Sequence, residues 1–400
     1  MSDTSIPPET LEKAHNPIEP ESIPENNKPT QTGTGNPEYP WMNAQPEEER
    51  PTSTQEVNTP PRVVSATTIK TQQLSPPAAQ EDSTSHEFDA DPFEMSDDTA
   101  SLTESINSVN YQYRYENGRR YHGFDDAVYL LPNDEQEQER LEGQHQTWLM
   151  LLGGKLHLSP LKNNIQNVLD VATGTGNWAM DFADQYPSAR VTGTDLSPIQ
   201  PNFVPPNCTF IVEDSEGDWV WDEKFDFIHS RTLGSTWRNW PGYFRKCYDY
   251  LKPGGYLEIH EFTFPFHCDD GTAGPENPMM QWSMYFNEAC AKGGVDIEQC
   301  ANLDPWLREA GFVDVTKLHL KVGFSGWSQD PEMRRISKFY GKIFDWGVSM
   351  ALLTRRLGWS REKAEVFLAD VRKDAADTGV HAYIPLYVYT AKRPETAVSN

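Results

Sequence analysis

Gly174 and Gly176 close an apolar run, Asn167-Val-Leu-Asp-Val-Ala-Thr-Gly-Thr-Gly-Asn-Trp, and open a stretch of helix-forming sequence. Glycine permits a tight turn there and lets backbone N–H groups approach a ligand closely. The start of the following helix presents free donors and the positive end of its dipole. Taken alone, Gly174-x-Gly176-x-x-Ala179 also fits a dinucleotide fingerprint. Three acids shift that reading. Asp170 lies inside the strand, where its charge favours a cationic ligand and disfavours a pyrophosphate. Asp195 ends the next strand, placed for ribose hydroxyls. Asp214 follows the third, where a carboxylate or neighbouring N–H meets an adenine edge. Each acid by itself reads first as a turn cap or a solvated charge. At the ends of three successive strands, they specify a nucleoside that carries positive charge.

In open α/β sheets the ligand crevice lies beyond the carboxyl ends of the strands. That rule selects His229, Ser230 and Arg231 after the fourth strand, and His260 and Glu261 after the fifth. His229 has the titration range of a base at neutral pH, or is a satisfied structural histidine. Glu258 and Glu261 are three apart on a strand and face opposite ways, with Glu261 expected nearer the site. Arg231 is read as the partner of a carboxylate or of a loop carbonyl. Tyr115, Arg119, Tyr121 and His122 form either a lid or a cap on the sheet edge. Trp282, Tyr285, Phe286, Trp327, Phe339, Tyr340, Phe344 and Trp346 are expected to be mostly core, a few lining an apolar acceptor pocket.

These residues need a frame. Strands are expected at 166–171, 189–194, 208–212, 225–229, 255–261, 312–320 and 383–391, with helices between them. That alternation implies a parallel sheet with crossover helices. Asn133 with Gln136 resembles a capping box for a helix from Asp134 to Leu152, closed by Gly153-Gly154. Two helical patterns, 331–356 and 360–377, separate the last two strands. The domain reading is a disordered acidic, proline-rich tail over 1–108, an arm and helix over 109–165, and a ligand-binding domain over 166–400. The last carries helical insertions at about 272–310 and 325–380. The tail has too little apolar sequence to offset its chain entropy.

The 400 residues carry a net charge of −26, which argues against broad contact with nucleic acid or anionic lipid. No apolar run reaches the ~18 residues of a transmembrane helix, and no secretory signal is read at the N-terminus. The five cysteines are scattered without a CxxC pair, so no metal site is expected and a reducing compartment fits.

In order and spacing, the DVATGTG turn, the acid of VTGTDLS, the VED after strand three, FDFIHSR and LKPGGYLEI resemble the class I S-adenosylmethionine (SAM)-dependent methyltransferases. The one departure is Ala172, where the family has the first of three glycines. ENGRRYHGF, LPNDEQEQERLEGQH and WRNWPGYFRKCYDYLKPGGYLEIHE narrow the resemblance to the fungal LaeA-like methyltransferases. The resemblance implies an α/β, Rossmann-like fold with a mostly parallel seven-stranded sheet, helices on both faces, an N-terminal helical arm and a helical insertion. It implies SAM as cofactor, held by Asp170, Ala172, Gly174, Gly176, Asp195, Leu196, Asp214 and His229, with His229 and Glu261 as catalytic candidates. It also implies a protein or small-molecule methyl acceptor, possible velvet-type protein partners, and a place in the nucleus or cytoplasm. Regulation of secondary metabolism and development, methylation of one metabolite, and SAM binding with little turnover are the roles that stand open.

Overall fold

The computed structural model describes residues 113–123 and 130–395. The tail reading for 1–108 lies outside the described residues. Seven strands form one sheet: β3 (Asn167–Val171), β4 (Arg190–Asp195), β5 (Cys208–Val212), β6 (Phe225–Arg231), β7 (Leu251–Phe262), β8 (Val313–Gly323) and β9 (Tyr383–Lys392). The order across it is β5-β4-β3-β6-β7-β9-β8. The first five run parallel; β9 is antiparallel to both neighbours, inserted between β7 and β8. The sequence places β9 but does not show this reversal.

Chain order reverses between β3 and β6, which opens a crevice beyond their carboxyl ends. Helix α2 (Asn177–Gln185) returns the chain from β3 to β4, and α3 (Trp240–Tyr250) from β6 to β7. Between β4 and β5 no helix forms. Pro198, Pro201, Pro205 and Pro206 break that segment, and it runs as a loop past the crevice mouth. The core beneath β3 packs Val168, Phe182, Val191 and Phe227 around Trp178, whose indole N–H is satisfied by the Leu156 carbonyl at 2.8 Å.

The N-terminal arm is not helical throughout. It opens with a hairpin, β1 (Arg114–Glu116) and β2 (Arg119–Tyr121), turned by Asn117 and Gly118 at φ 52° and 80°. These are the angles of a two-residue hairpin turn, which Asn-Gly favours. Helix α1 (Glu135–Leu151) follows, capped by Asp134 rather than Asn133: the Asp134 carboxylate accepts the Glu137 N–H at 3.0 Å. The Asn133 amide instead donates to Ser197 Oγ at 3.3 Å, tying the arm to the end of β4. Gly153 and Gly154, both at positive φ, stop α1 as expected.

Helices α4 (Pro278–Lys292) and α5 (Asp304–Glu309) precede β8; α6 (Pro331–Ile343) and α7 (Arg361–Ala376) fill the second insertion. The helix expected over 331–356 stops at Ile343. Phe344 leaves helical geometry, Asp345 caps a new turn by accepting the Gly347 N–H, and only short 3₁₀ and π turns follow. No helix among the described residues is long and apolar enough to cross a membrane.

Candidate functional site

A cavity of about 340 Å³ lies at the carboxyl ends of β3, β4 and β6. Its floor is the glycine bend, Ala172 to Gly174, and its sides are Asp195-Leu196, Glu213-Asp214 and the loop Thr232–Trp237. Leu131, Asn133, Arg140 and Leu141 from the arm and α1 close it, with His122 after the hairpin.

Asp195 holds the bend. Its carboxylate accepts the Gly174 N–H at 2.8 Å and the Ser197 N–H at 2.9 Å. Burial nevertheless raises its pKa to about 6, against the pull of those donors. Ala172 adopts φ 54° and Gly174 φ 59°, so the backbone turns sharply under the cavity. Gly176 is not at the cavity wall. It is the left-handed cap of α2, and a Cβ there would overlap the Phe210 ring, so its glycine is required by packing and backbone angle. Asp214 lines the cavity and accepts the Glu216 N–H at 3.0 Å; Leu196 lines it beside Asp195.

Asp170, expected to favour a cationic ligand by its charge, does not line this cavity. It is buried, accepts the Thr173 hydroxyl at 2.5 Å and bonds His229 Nδ1 at 2.7 Å. Burial raises its pKa to about 7 and drives that of His229 well below the usual value. His229 is fully buried and stacks on Trp178 with ring centroids 3.7 Å apart. It therefore stands behind the wall of the large cavity. The two face a smaller chamber of about 60 Å³, shared with Thr173, Asn177, Gln144 and Arg231, which adjoins the cavity at Ala172, Gly174 and Thr232.

Glu261 also stands behind the wall. Its carboxylate accepts the Leu233 and Gly234 N–H groups at 2.7 and 3.1 Å, fixing the loop that lines the cavity. Burial raises its pKa to about 8. Glu258 points the other way, taking the Leu158 and Ser159 N–H groups and His260 Nε2 at 2.8 Å. The two glutamates thus anchor loops on opposite faces of β7, and neither meets the cavity.

Beyond Leu131, Arg140, Thr232 and Ser235 a slot adjoins the cavity, walled by Phe262, Phe264, Trp282, Phe286, Tyr340 and Phe344. Of the expected acceptor-pocket aromatics, Trp282, Phe286, Tyr340 and Phe344 are in this wall. Sequence reasoning missed Leu131, Arg140, Gln144 and Thr232, because nothing local marks them; they converge only through packing of α1 on the end of β6. No group of residues suited to a metal ion occurs among the described residues.

Comparison with known proteins accords with this geometry. Residues 137–317 match a family described as a methyltransferase domain. The chain is 37% identical over 301 residues to a protein named methyltransferase pytC from Aspergillus terreus, covering 74% of this chain and 93% of that one. It is 34% identical over 290 residues to the secondary metabolism regulator LAE1 of Cochliobolus heterostrophus, covering 70% and 94%. It is 33% identical over 301 residues to a protein of Emericella nidulans named protein-methionine methyltransferase laeA, covering 72% and 79%.

Proposed function

The chain belongs to the SAM-dependent methyltransferase family that includes the LaeA proteins, and from that premise we propose that it methylates an uncharged acceptor held in the aromatic slot and acts in regulation of secondary metabolism and development. SAM, when bound, supplies an electrophilic methyl group on a sulfonium. What this chain contributes is a cradle: Asp195 and the glycine bend for the nucleoside, and the slot for the acceptor. A catalytic base is needed only where the acceptor must lose a proton. The single observation that carries the acceptor reading is the slot's lining, which holds neither carboxylate nor imidazole. His229 and Glu261 are committed elsewhere, so we assign them to positioning, not proton transfer. A neutral nucleophile without a proton to shed fits such a wall, and aromatic faces stabilise the cation that methylation leaves. A methionine thioether has that chemistry, and the Emericella nidulans relative is named for it.

The regulatory role rests on the relatives named as regulators, and velvet-type partners and a nuclear location belong to the same proposal. Methylation of a single metabolite is the second reading, favoured by the relative named only as a methyltransferase. Incubation of the purified protein with labelled SAM, methionine-containing peptides and phenols tests the acceptor. Label on the thioether is expected; label on phenols alone overturns it. Metabolite profiling of a deletion strain separates the roles: changes across many pathways are expected, whereas one compound lacking one methyl group defeats the regulatory reading.

A further inference from the structure

Thr232, the first residue after β6, adopts φ 58°. A β-branched residue is seldom found at such an angle, because its Cβ crowds the backbone. Three other non-glycine residues of the described chain share a positive φ. Asn117 and Asp314 are of types that tolerate it, one in the hairpin turn and one where the register of β8 shifts against β9. Ala172 and Thr232 are not, and both line the large cavity.

The angle at Thr232 is imposed from β7. The Thr232 N–H donates to the His260 carbonyl at 2.8 Å, and the next two N–H groups, of Leu233 and Gly234, donate to Glu261 at 2.7 and 3.1 Å. On the other side, Arg231 donates to His260 Nδ1 at 3.3 Å and to His145 Nδ1 at 3.1 Å. A strained residue persists only where its surroundings over-determine it, and such residues gather at functional sites. Here a branched side chain is retained at a position whose backbone favours glycine.

Among the described residues, Thr232 alone lines the large cavity, the chamber beside Asp170 and the aromatic slot together. Leu131, Arg140 and Ser235 share with it the border between cavity and slot, and Arg140 is fixed there by Glu137 at 2.6 and 2.8 Å. A methyl group passed from a nucleoside in the cavity to an acceptor in the slot crosses this border. The slot beyond holds only about 50 Å³. We propose that Thr232 is a specificity-determining residue: its side chain narrows the border and limits the transferred group to methyl. The inference deepens the reading of cavity and slot given above and rests on it.

Three ligands test it by calorimetry on the full chain: S-adenosylhomocysteine, which lacks the transferable group, SAM, and S-adenosylethionine, which carries ethyl in place of methyl. One extra carbon against a fixed wall should weaken S-adenosylethionine about 10-fold relative to SAM. Thr232→Gly should bring those two to within about 3-fold of each other and leave S-adenosylhomocysteine unchanged. That unchanged affinity also reports that the variant is folded. A Thr232 that only shapes the loop would move all three ligands together. If Thr232→Gly does not fold, Thr232→Ala should recover part of the ethyl binding and lose none of the affinity for S-adenosylhomocysteine. Equal binding of SAM and S-adenosylethionine by the unmodified protein overturns the inference, as does a folded variant that keeps the full discrimination or changes all three ligands alike. Failure of the unmodified protein to bind S-adenosylhomocysteine would instead defeat the SAM reading itself.

Discussion

The Asp195 carboxylate accepts the Gly174 N–H at 2.8 Å, so the end of β4 and the bend after β3 form one unit. The carboxylate expected to grip a ligand is therefore also the brace that shapes the bend.

Asp195→Ala should fail twice over. It leaves the Gly174 and Ser197 N–H groups without their acceptor, at about 1–3 kcal/mol for a buried unsatisfied group. It also removes a cavity-lining anion. S-adenosylhomocysteine affinity should fall at least about 10-fold, with a lower thermal midpoint. Calorimetry showing undiminished binding would separate Asp195 from the ligand.

Ala172 sits where a left-handed angle is imposed, φ 54°. A non-glycine residue there bears about 1–2 kcal/mol of strain. Glycine removes it and returns about 0.4–1 kcal/mol as extra freedom of the unfolded chain. Ala172→Gly should therefore stabilise the protein by roughly 0.5 kcal/mol or slightly more. Urea unfolding that shows the variant weaker than the parent would mean the bend is not strained at this residue.

The strands and the glycine bend were legible because apolar runs ended by Gly, Pro or Asp mark strand ends locally. What was not legible depends on distant partners. Asp170 reads as a charge that favours a cationic ligand until His229, 59 residues on, is seen against it. Glu261 reads as a site acid until the Leu233 and Gly234 N–H groups occupy it. Phe344 continues an apolar helical pattern, yet the chain turns there so that Asp345 can reach Arg119. Asn117-Gly118 is different: the hairpin signal is local, but the strands it joins are only three residues each and consist largely of charged residues, without the apolar alternation that marks a strand.

The hairpin is clasped rather than loose. Arg119 donates to both Asp134 oxygens at 2.6 and 3.0 Å and to Asp345 at 2.6 Å, and Arg355 pairs with Glu116. Arg119→Ala leaves two largely buried carboxylates with their shared cation gone, a loss of about 3–5 kcal/mol for a broken buried pair. Asp345→Asn, which keeps a hydrogen-bonding oxygen, should cost less. Denaturant midpoints give the comparison. A loss below about 1 kcal/mol for Arg119→Ala, the level of an exposed pair, would favour a mobile lid over a fixed clasp.

Glu261 gives the fold a pH dependence. Burial raises its pKa to about 8, so the folded state holds a proton that the unfolded chain, near pKa 4.3, has released. Its contribution is complete below the unfolded value and lost as pH rises through about 8. His260, lowered to about 4 by burial, acts in the opposite sense, but its effect is exhausted above its unfolded value near 6.5. Between that point and pH 8 the carboxyl groups prevail, with Asp170, raised to about 7, adding to the lower part of the window. Stability should therefore fall from pH 6.5 to 8, and Glu261→Gln, which has no proton to lose, should fall less steeply, by up to about 1.4 kcal/mol per pH unit. The variant's absolute stability is a separate matter, since its amide cannot accept both loop N–H groups. Denaturant unfolding across that range reads the slope, and parallel curves for the two proteins would show that Glu261 is ionised throughout and that the loop beside the cavity is held by a charge.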